Sequence, residues 1–167
     1  MSKRSVATSR EVPVQAVSSV AAGGLIIHSA SVPIETTERV EIIDLTDRLM
    51  AHVRKFPVRE GMMSVSSMHT TCALFINESQ KALLADIKRF LEDFAPADRT
   101  YLHNDPAQSD CSRANAASHL RAMLLGHSVT VQISGGEVVL GRWQRVLMAE
   151  LDGGRRRTIR VQIMGVA

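Results

Sequence analysis

The hydrophobic period of the chain changes at Asn77–Glu78, and this change restricts the fold more than any other sequence feature. Before it, residues 61–78 (GMMSVSSMHTTCALFINE) alternate between apolar and polar side chains, which is typical of one long strand or of two strands broken near His69. After it, residues 79–94 (SQKALLADIKRFLEDF) place apolar side chains on one helical stripe with charged ones opposite. Strand and helix periods side by side, without internal repeats, predict one α+β domain.

The segments on either side extend this pattern. Residues 25–37 are rich in β-branched side chains and predict a strand, whereas residues 38–56 carry apolar side chains near helical spacing and predict a helix that Asp44 or Thr46 caps. A third helix is predicted to end at Gly126. Gly-Gly at 135–136 and Asp-Gly-Gly at 152–154 separate short apolar runs, so we expect the C-terminal third to be an antiparallel meander.

Composition bounds the functional class. The 167 residues are 45% hydrophobic, which is typical of one globular domain and excludes a disordered chain. No apolar run approaches the roughly 18 residues of a membrane span. The net charge of +3 is small and dispersed and only 4% of residues are aromatic, so nucleic-acid binding is disfavoured.

The ends and the cysteines suggest where the protein resides. Residues 1–24 lack a continuous apolar run and predict a flexible tail rather than a signal peptide, which leaves residues 25–167 as the domain. Two cysteines, Cys72 and Cys111, cannot form a disulfide framework, so we expect reduced thiols and a cytoplasmic protein.

Motif absences narrow the chemistry further. The chain has no GxGxxG, GxxxxGK[ST], HExxH or GxSxG pattern. Among six histidines, three lie beside small or hydrogen-bonding residues, where an imidazole is well placed to bind a metal or move a proton; they are His69, His103 and His119. Their spacing fits no local metal motif, and a structural role is the alternative.

Two polar segments also allow both a functional and a structural interpretation. Asn77-Glu78 stands where α+β enzymes place polar groups, but it is equally typical of a helix cap. Residues 155–157 are three consecutive arginines that suit an oxyanion or a solvated strand edge. Alternate residues of a strand face opposite sides, so at most two of the three can point into one site.

Several motifs occur together in a recognisable order: MHTTCALFINE, YLH, NAASHL with LLGHS, LGRWQRVLMAELDGGRRR and VQIMG. Between about Leu25 and Gly165 the chain resembles the YjbQ family, also described as a secondary thiamine-phosphate synthase family. Three positions depart from the family pattern: Cys72, where a small residue is usual, Arg142, where Thr is usual, and Gly154, where Pro is usual.

The resemblance implies an α+β domain built on a largely antiparallel β-sheet sandwich with a few packed helices. It implies a homotrimer with sites near the subunit boundaries and a small phosphorylated molecule as ligand. The implied activity is a weak thiamine-phosphate synthase, which joins hydroxymethylpyrimidine pyrophosphate to a thiazole phosphate and releases pyrophosphate. The alternative is a non-catalytic trimeric protein that binds a metal or a small anion.

The resemblance also assigns roles to residues. A divalent metal is expected, and the ligand type favours zinc, whereas pyrophosphate release favours magnesium. The implied metal ligands are His69, His103 and His119. The implied catalytic residues are His69, Asn77, Glu78 and Glu150. The implied substrate- and phosphate-binding residues are Thr70, Asn115, Gln144, Arg155 and Arg157.

Overall fold

A computed structural model describes residues 18–22 and 24–167. Part of the predicted tail is a strand: β1 (Ser18–Ala22) pairs antiparallel with β2 (Leu25–Glu35). Gly24 lies between them with φ +86°, a conformation that glycine adopts without strain. The other residues of that tail, 1–17 and 23, lie outside the described residues.

The larger sheet has six strands in the order β1-β2-β9-β4-β6-β7, and all neighbouring pairs are antiparallel. Its remaining strands are β4 (Glu60–Ser67), β6 (Ser128–Ser134), β7 (Glu137–Val139) and β9 (Arg156–Val166). Alternate residues of β9, such as Ile159, Val161 and Ile163, are buried. The period of two therefore gives this sheet one apolar face.

The smaller sheet, in the order β3-β8-β5, is buried on both faces. Its strands are β3 (Glu41–Asp44), β5 (Cys72–Asn77) and β8 (Arg145–Glu150). Leu74 and Met148 join the core cluster of the larger sheet, whereas Ala73 and Ala149 pack with helix residues. The smaller sheet is thus the middle layer. The layers together form a single α+β domain, and this fold class was predicted.

Two of the predicted helices are confirmed. α2 (Lys81–Phe94) begins where the Gln80 side chain accepts a 2.8 Å hydrogen bond from Leu83 N, and α3 (Ala116–Leu125) ends at Gly126 with φ +89°. Of the predicted apolar stripe of α2, Leu91 is fully buried, while Phe90 is 59% exposed. Across the described part of the chain, no helix has the length and apolar character of a membrane span.

The prediction of a helix over residues 38–56 is wrong for the first half of that range. Ile42 and Ile43 lie in β3, and the helix α1 is confined to Thr46–Val53. Ile43 packs against the core between the sheets, and Ile42 packs against the helix-side cluster. Two adjacent apolar side chains can be buried in opposite directions only on a strand that is covered on both faces.

The predicted C-terminal meander is correct for its first hairpin only. Gly135 and Gly136, with φ +60° and +84°, join β6 to β7. The Asp-Gly-Gly segment instead connects β8 of the smaller sheet to β9 of the larger sheet. β8 and β9 do not pair with each other because each has other partners. β8 buries both of its faces and pairs with β3 and β5, while β9 pairs with β2 and β4.

Candidate functional site

Three connecting segments meet at one end of the sandwich. They are the turn 68–71 between β4 and β5, the loop 97–115 that leads into α3, and the connection 151–155 between β8 and β9. They line a polar cavity of about 580 Å³ that is open to solvent. Its wall includes these predicted site residues: His69, Thr70, His103, Asn115, His119, Arg155 and Arg157.

His69 completes the hydrogen bonding of the larger sheet. Thr158 on β9 lies just beyond the end of β4, and its N–H donates to Nε2 of His69 at 2.8 Å. The imidazole therefore occupies the acceptor position that a strand carbonyl would have. Burial lowers the pKa of His69, Arg157 lowers it further, and Glu150 opposes them. Because Nε2 accepts a hydrogen bond, the neutral ring carries its proton on Nδ1.

Arg157 and Glu150 form a buried ion pair beneath the cavity. Their side chains are 3% and 0% exposed, and the guanidinium Nε and Nη2 contact the two carboxylate oxygens in bidentate geometry. Oε1 of Glu150 also accepts from the N–H groups of Leu151 and Asp152 at 2.9 and 2.8 Å. Glu150 therefore positions Arg157 and the β8–β9 connection, with its oxygens already occupied.

Asp152 is the second acceptor that the site satisfies internally. Its Oδ2 accepts from Nδ2 of Asn115 at 2.8 Å and from Nε of Arg113 at 3.1 Å, and Nη2 of Arg155 lies 3.3 Å away. Asn115 is 5% exposed and begins α3, so its amide ties that helix to the β8–β9 connection. The Oδ1 of Asn115 accepts from Sγ of Cys111 at 3.5 Å, so both polar atoms of this amide have partners within the protein.

His103 and His119 lie edge to face, with ring centroids 5.0 Å apart. His119 is on α3, and His103 is on a short 3₁₀ helix, Leu102–Asn104. Oδ1 of Asn104 accepts from Ala116 N at 3.0 Å, which fastens the two elements together. Burial and the neighbouring His103 lower the pKa of His119, partly opposed by Asp152, so a neutral ring is favoured at pH 7.

The metal centre implied by the three histidines does not fit this geometry. Among the residues that the structure describes, no three His, Cys, Asp or Glu side chains are arranged to hold a metal ion. Nε2 of His69 is occupied by Thr158 N–H, and Nδ1 carries the proton. Magnesium would prefer oxygen ligands, but both oxygens of Glu150 and Oδ2 of Asp152 are engaged by guanidinium and amide groups.

The cavity instead presents hydrogen-bond donors. Arg157 leaves Nη1 without a partner among the described residues, and Arg113 is half exposed. Nδ1–H of His69 and the hydroxyl of exposed Thr70 add to these groups. Asp110, at the exposed rim, is the remaining carboxylate of the wall. With three arginines against two aspartates, this wall suits an oxyanion ligand.

The comparison with known proteins agrees with the fold. A model of the family described as UPF0047 protein YjbQ-like matches residues 30–166. The chain belongs to this family. It is 42% identical over 139 residues to a UPF0047 protein of Methanothermobacter thermautotrophicus, covering 83% of this chain and 93% of that protein. It is 32% identical to YugU of Bacillus subtilis, covering 79% and 96%.

Solved structures share the architecture. A YbjQ-like protein of unknown function from Sulfolobus solfataricus superposes with a TM-score of 0.78 at 30% identity, covering 84% of this chain and 99% of that one. A hypothetical protein from Aeropyrum pernix gives 0.75 at 29% identity, covering 82% and 98%. These relatives establish the family and the fold.

Not all predicted site residues of this UPF0047 chain meet at the cavity. Asn77 and Glu78 lie at the far end of β5, roughly 20 Å from Thr71 at about 3.3 Å per residue. Glu78 lines a separate cavity of about 420 Å³ with Trp143. Gln144 lies nearby in sequence, and its Oε1 accepts from Gly141 N at 2.7 Å, which closes a turn.

Thr71 and Arg113 also line the cavity, although neither was predicted as a site residue. Thr71 is 5% exposed, and its Oγ1 accepts from Nη2 of Arg157 at 3.0 Å. Arg113 comes from the polar loop 97–113, whose length is typical of a binding loop. The contact of His69 with the backbone N–H of Thr158 has no local signal in the sequence.

Proposed function

We propose that the cavity binds a small phosphorylated molecule and that the protein is a weak thiamine-phosphate synthase-type transferase. One observation carries the proposal: the buried carboxylates of the site accept hydrogen bonds from within the protein, through both oxygens of Glu150 and Oδ2 of Asp152, while guanidinium and imidazole side chains line the cavity. Such donors stabilise the negative charge of a phosphate or a departing pyrophosphate.

In the proposed reaction the thiazole nitrogen attacks the methylene carbon of hydroxymethylpyrimidine pyrophosphate. A C–N bond forms, the C–O bond to pyrophosphate breaks, and the electron pair leaves with the pyrophosphate oxygen. Arg155 and Arg157 would neutralise that developing charge, and Nδ1–H of His69 would donate to it. The step requires no protein nucleophile, which agrees with a wall of donors.

The proposal includes a homotrimer. Two large apolar side chains beside the cavity are exposed: Met68 at 47% and Leu102 at 75%. Exposed apolar groups around a polar pocket are typical of an interface. We propose that a second protomer covers this rim and brings its Asn77, Glu78 and Gln144 toward the cavity, which would place the site at a subunit boundary.

The alternative in the same cavity is a binding protein that turns nothing over. Its supporting observation is that buried contacts hold the donors in place, Arg157 by Glu150 and Asn115 by Asp152, as a site that only binds would require. Both candidates bind an anion. They differ in whether the bound molecule is converted.

The test combines pyrophosphate binding with product formation. The purified protein is titrated with pyrophosphate by calorimetry and is incubated with the two substrates while thiamine phosphate is measured. Arg155→Gln is expected to weaken binding at least about tenfold. Arg156→Gln is the matched control, because Arg156 is exposed on the other side of β9 and contacts Glu35 at 3.6 Å. Binding with turnover supports the transferase, binding alone supports the alternative, and absence of binding contradicts both.

A further inference from the structure

A second cavity adjoins the first. It has a volume of about 390 Å³ and shares Met68, His69, Thr70 and His119 with the polar cavity. Its remaining wall comes from the end of β4, the start of β5, the last turn of α3 and the two residues after that helix. These residues are Ser67, Cys72, Ala122, Met123, Gly126 and His127.

The two cavities differ in charge. Five side chains of formal charge line the polar cavity: Asp110, Arg113, Asp152, Arg155 and Arg157. Among the described residues that line the second cavity there is no Asp, Glu, Lys or Arg. Met68 and Met123 supply polarisable apolar surface that adapts to the shape of an organic group.

The shared wall decides how one ligand would lie. His69 is anchored to Thr158 and His119 is on α3, so the two imidazoles stand where the cavities join. Each has a pKa lowered chiefly by burial, so neither ring adds a full charge at this junction at pH 7. A molecule that spans both cavities therefore passes from a cationic wall, through neutral rings, to an apolar wall.

We infer that the ligand is an amphiphilic phosphate ester, with its phosphate in the polar cavity and an uncharged ring-sized organic group against Met68 and Met123. This inference rests on the proposed function, because it assumes that the polar cavity receives phosphate. The apolar group would be held by burial, which strengthens with the apolar area removed from water.

The experiment compares phosphate esters that differ only in the organic group. Methyl phosphate and phenyl phosphate are titrated into the protein by calorimetry. Phenyl phosphate is expected to bind at least about tenfold tighter. Met123→Gln is expected to remove most of that advantage while leaving methyl phosphate affinity unchanged. Since Met123 is 71% exposed, the substitution should not disturb folding.

Leu124→Gln is the matched control. Leu124 is the next residue of α3, is 43% exposed and lines neither cavity, so the preference for phenyl phosphate should persist. Equal affinity for the two esters in the native protein would overturn the inference while leaving the anion site intact. An equal loss in both variants would overturn it as well. If neither ester binds, the proposed function fails with it.

Discussion

The backbone N–H of Thr158 donates a 2.8 Å hydrogen bond to Nε2 of His69, so a side chain completes the edge of a strand ladder next to the candidate site. The same bond sets the tautomer of the neutral ring, because a nitrogen that accepts a hydrogen bond cannot also carry the proton. One imidazole thus both completes the sheet and lines the cavity.

His69→Ala should destabilise the protein by about 1 to 3 kcal/mol, because Thr158 N–H then loses its acceptor in a partly buried place. His69→Gln should be milder, since the Gln side-chain oxygen can reach the same N–H. Urea unfolding of the three proteins measures the difference. Equal stability of the two variants would show that the acceptor contributes nothing.

Metal binding is expected to be independent of His69. Both of its ring nitrogens are committed, one as acceptor and one as proton carrier. Metal analysis of the purified native protein and of His69→Gln, His103→Ala and His119→Ala should therefore give no loss specific to His69. A stoichiometric metal that disappears in the His69 variant would contradict the assigned tautomer.

Stability should fall as the pH decreases below about 6.5. Burial lowers the pKa of His52, His69 and His119 in the folded protein, so the unfolded chain binds more protons between the lowered values and the ordinary value of about 6.5. The free energy of unfolding then rises with pH across that window. Thermal unfolding from pH 5 to pH 8 measures it, and His119→Gln should flatten the dependence. A slope that is unchanged in this variant would remove His119 from the explanation.

Glu150→Gln should destabilise the protein by about 3 to 5 kcal/mol, because the Arg157 charge is buried and would lose its bidentate partner. The double variant Glu150→Gln/Arg157→Gln should recover part of that loss. Arg54→Gln is a useful control, since its ion pair with Glu137 is about half exposed and solvent screens such pairs, so its loss should change stability little. Chemical denaturation checks all three. A Glu150→Gln variant as stable as the native protein would show that the Glu150–Arg157 pair does not stabilise the fold.

Local patterns in the sequence were enough to predict α2, α3 and the β6–β7 hairpin, and they left one long strand or two strands broken near His69 as alternatives, of which the structure shows two strands. Each depends on residues close together in the chain: a helical stripe, a Gly at a helix end, two Gly residues in a turn, or alternation that stops. The family resemblance was enough to select His69, His103, His119 and Arg157, which do line one cavity.

Only the tertiary structure decided where the remaining groups act. Ile42 and Ile43 are in a strand because layers cover both of its faces, and β8 and β9 separate because each pairs with distant strands. Glu150 is the partner of Arg157, while Glu78 lies at the other end of β5. Sheet membership, burial and ion pairing arise from contacts between residues far apart in the chain, and local periodicity carries no record of them.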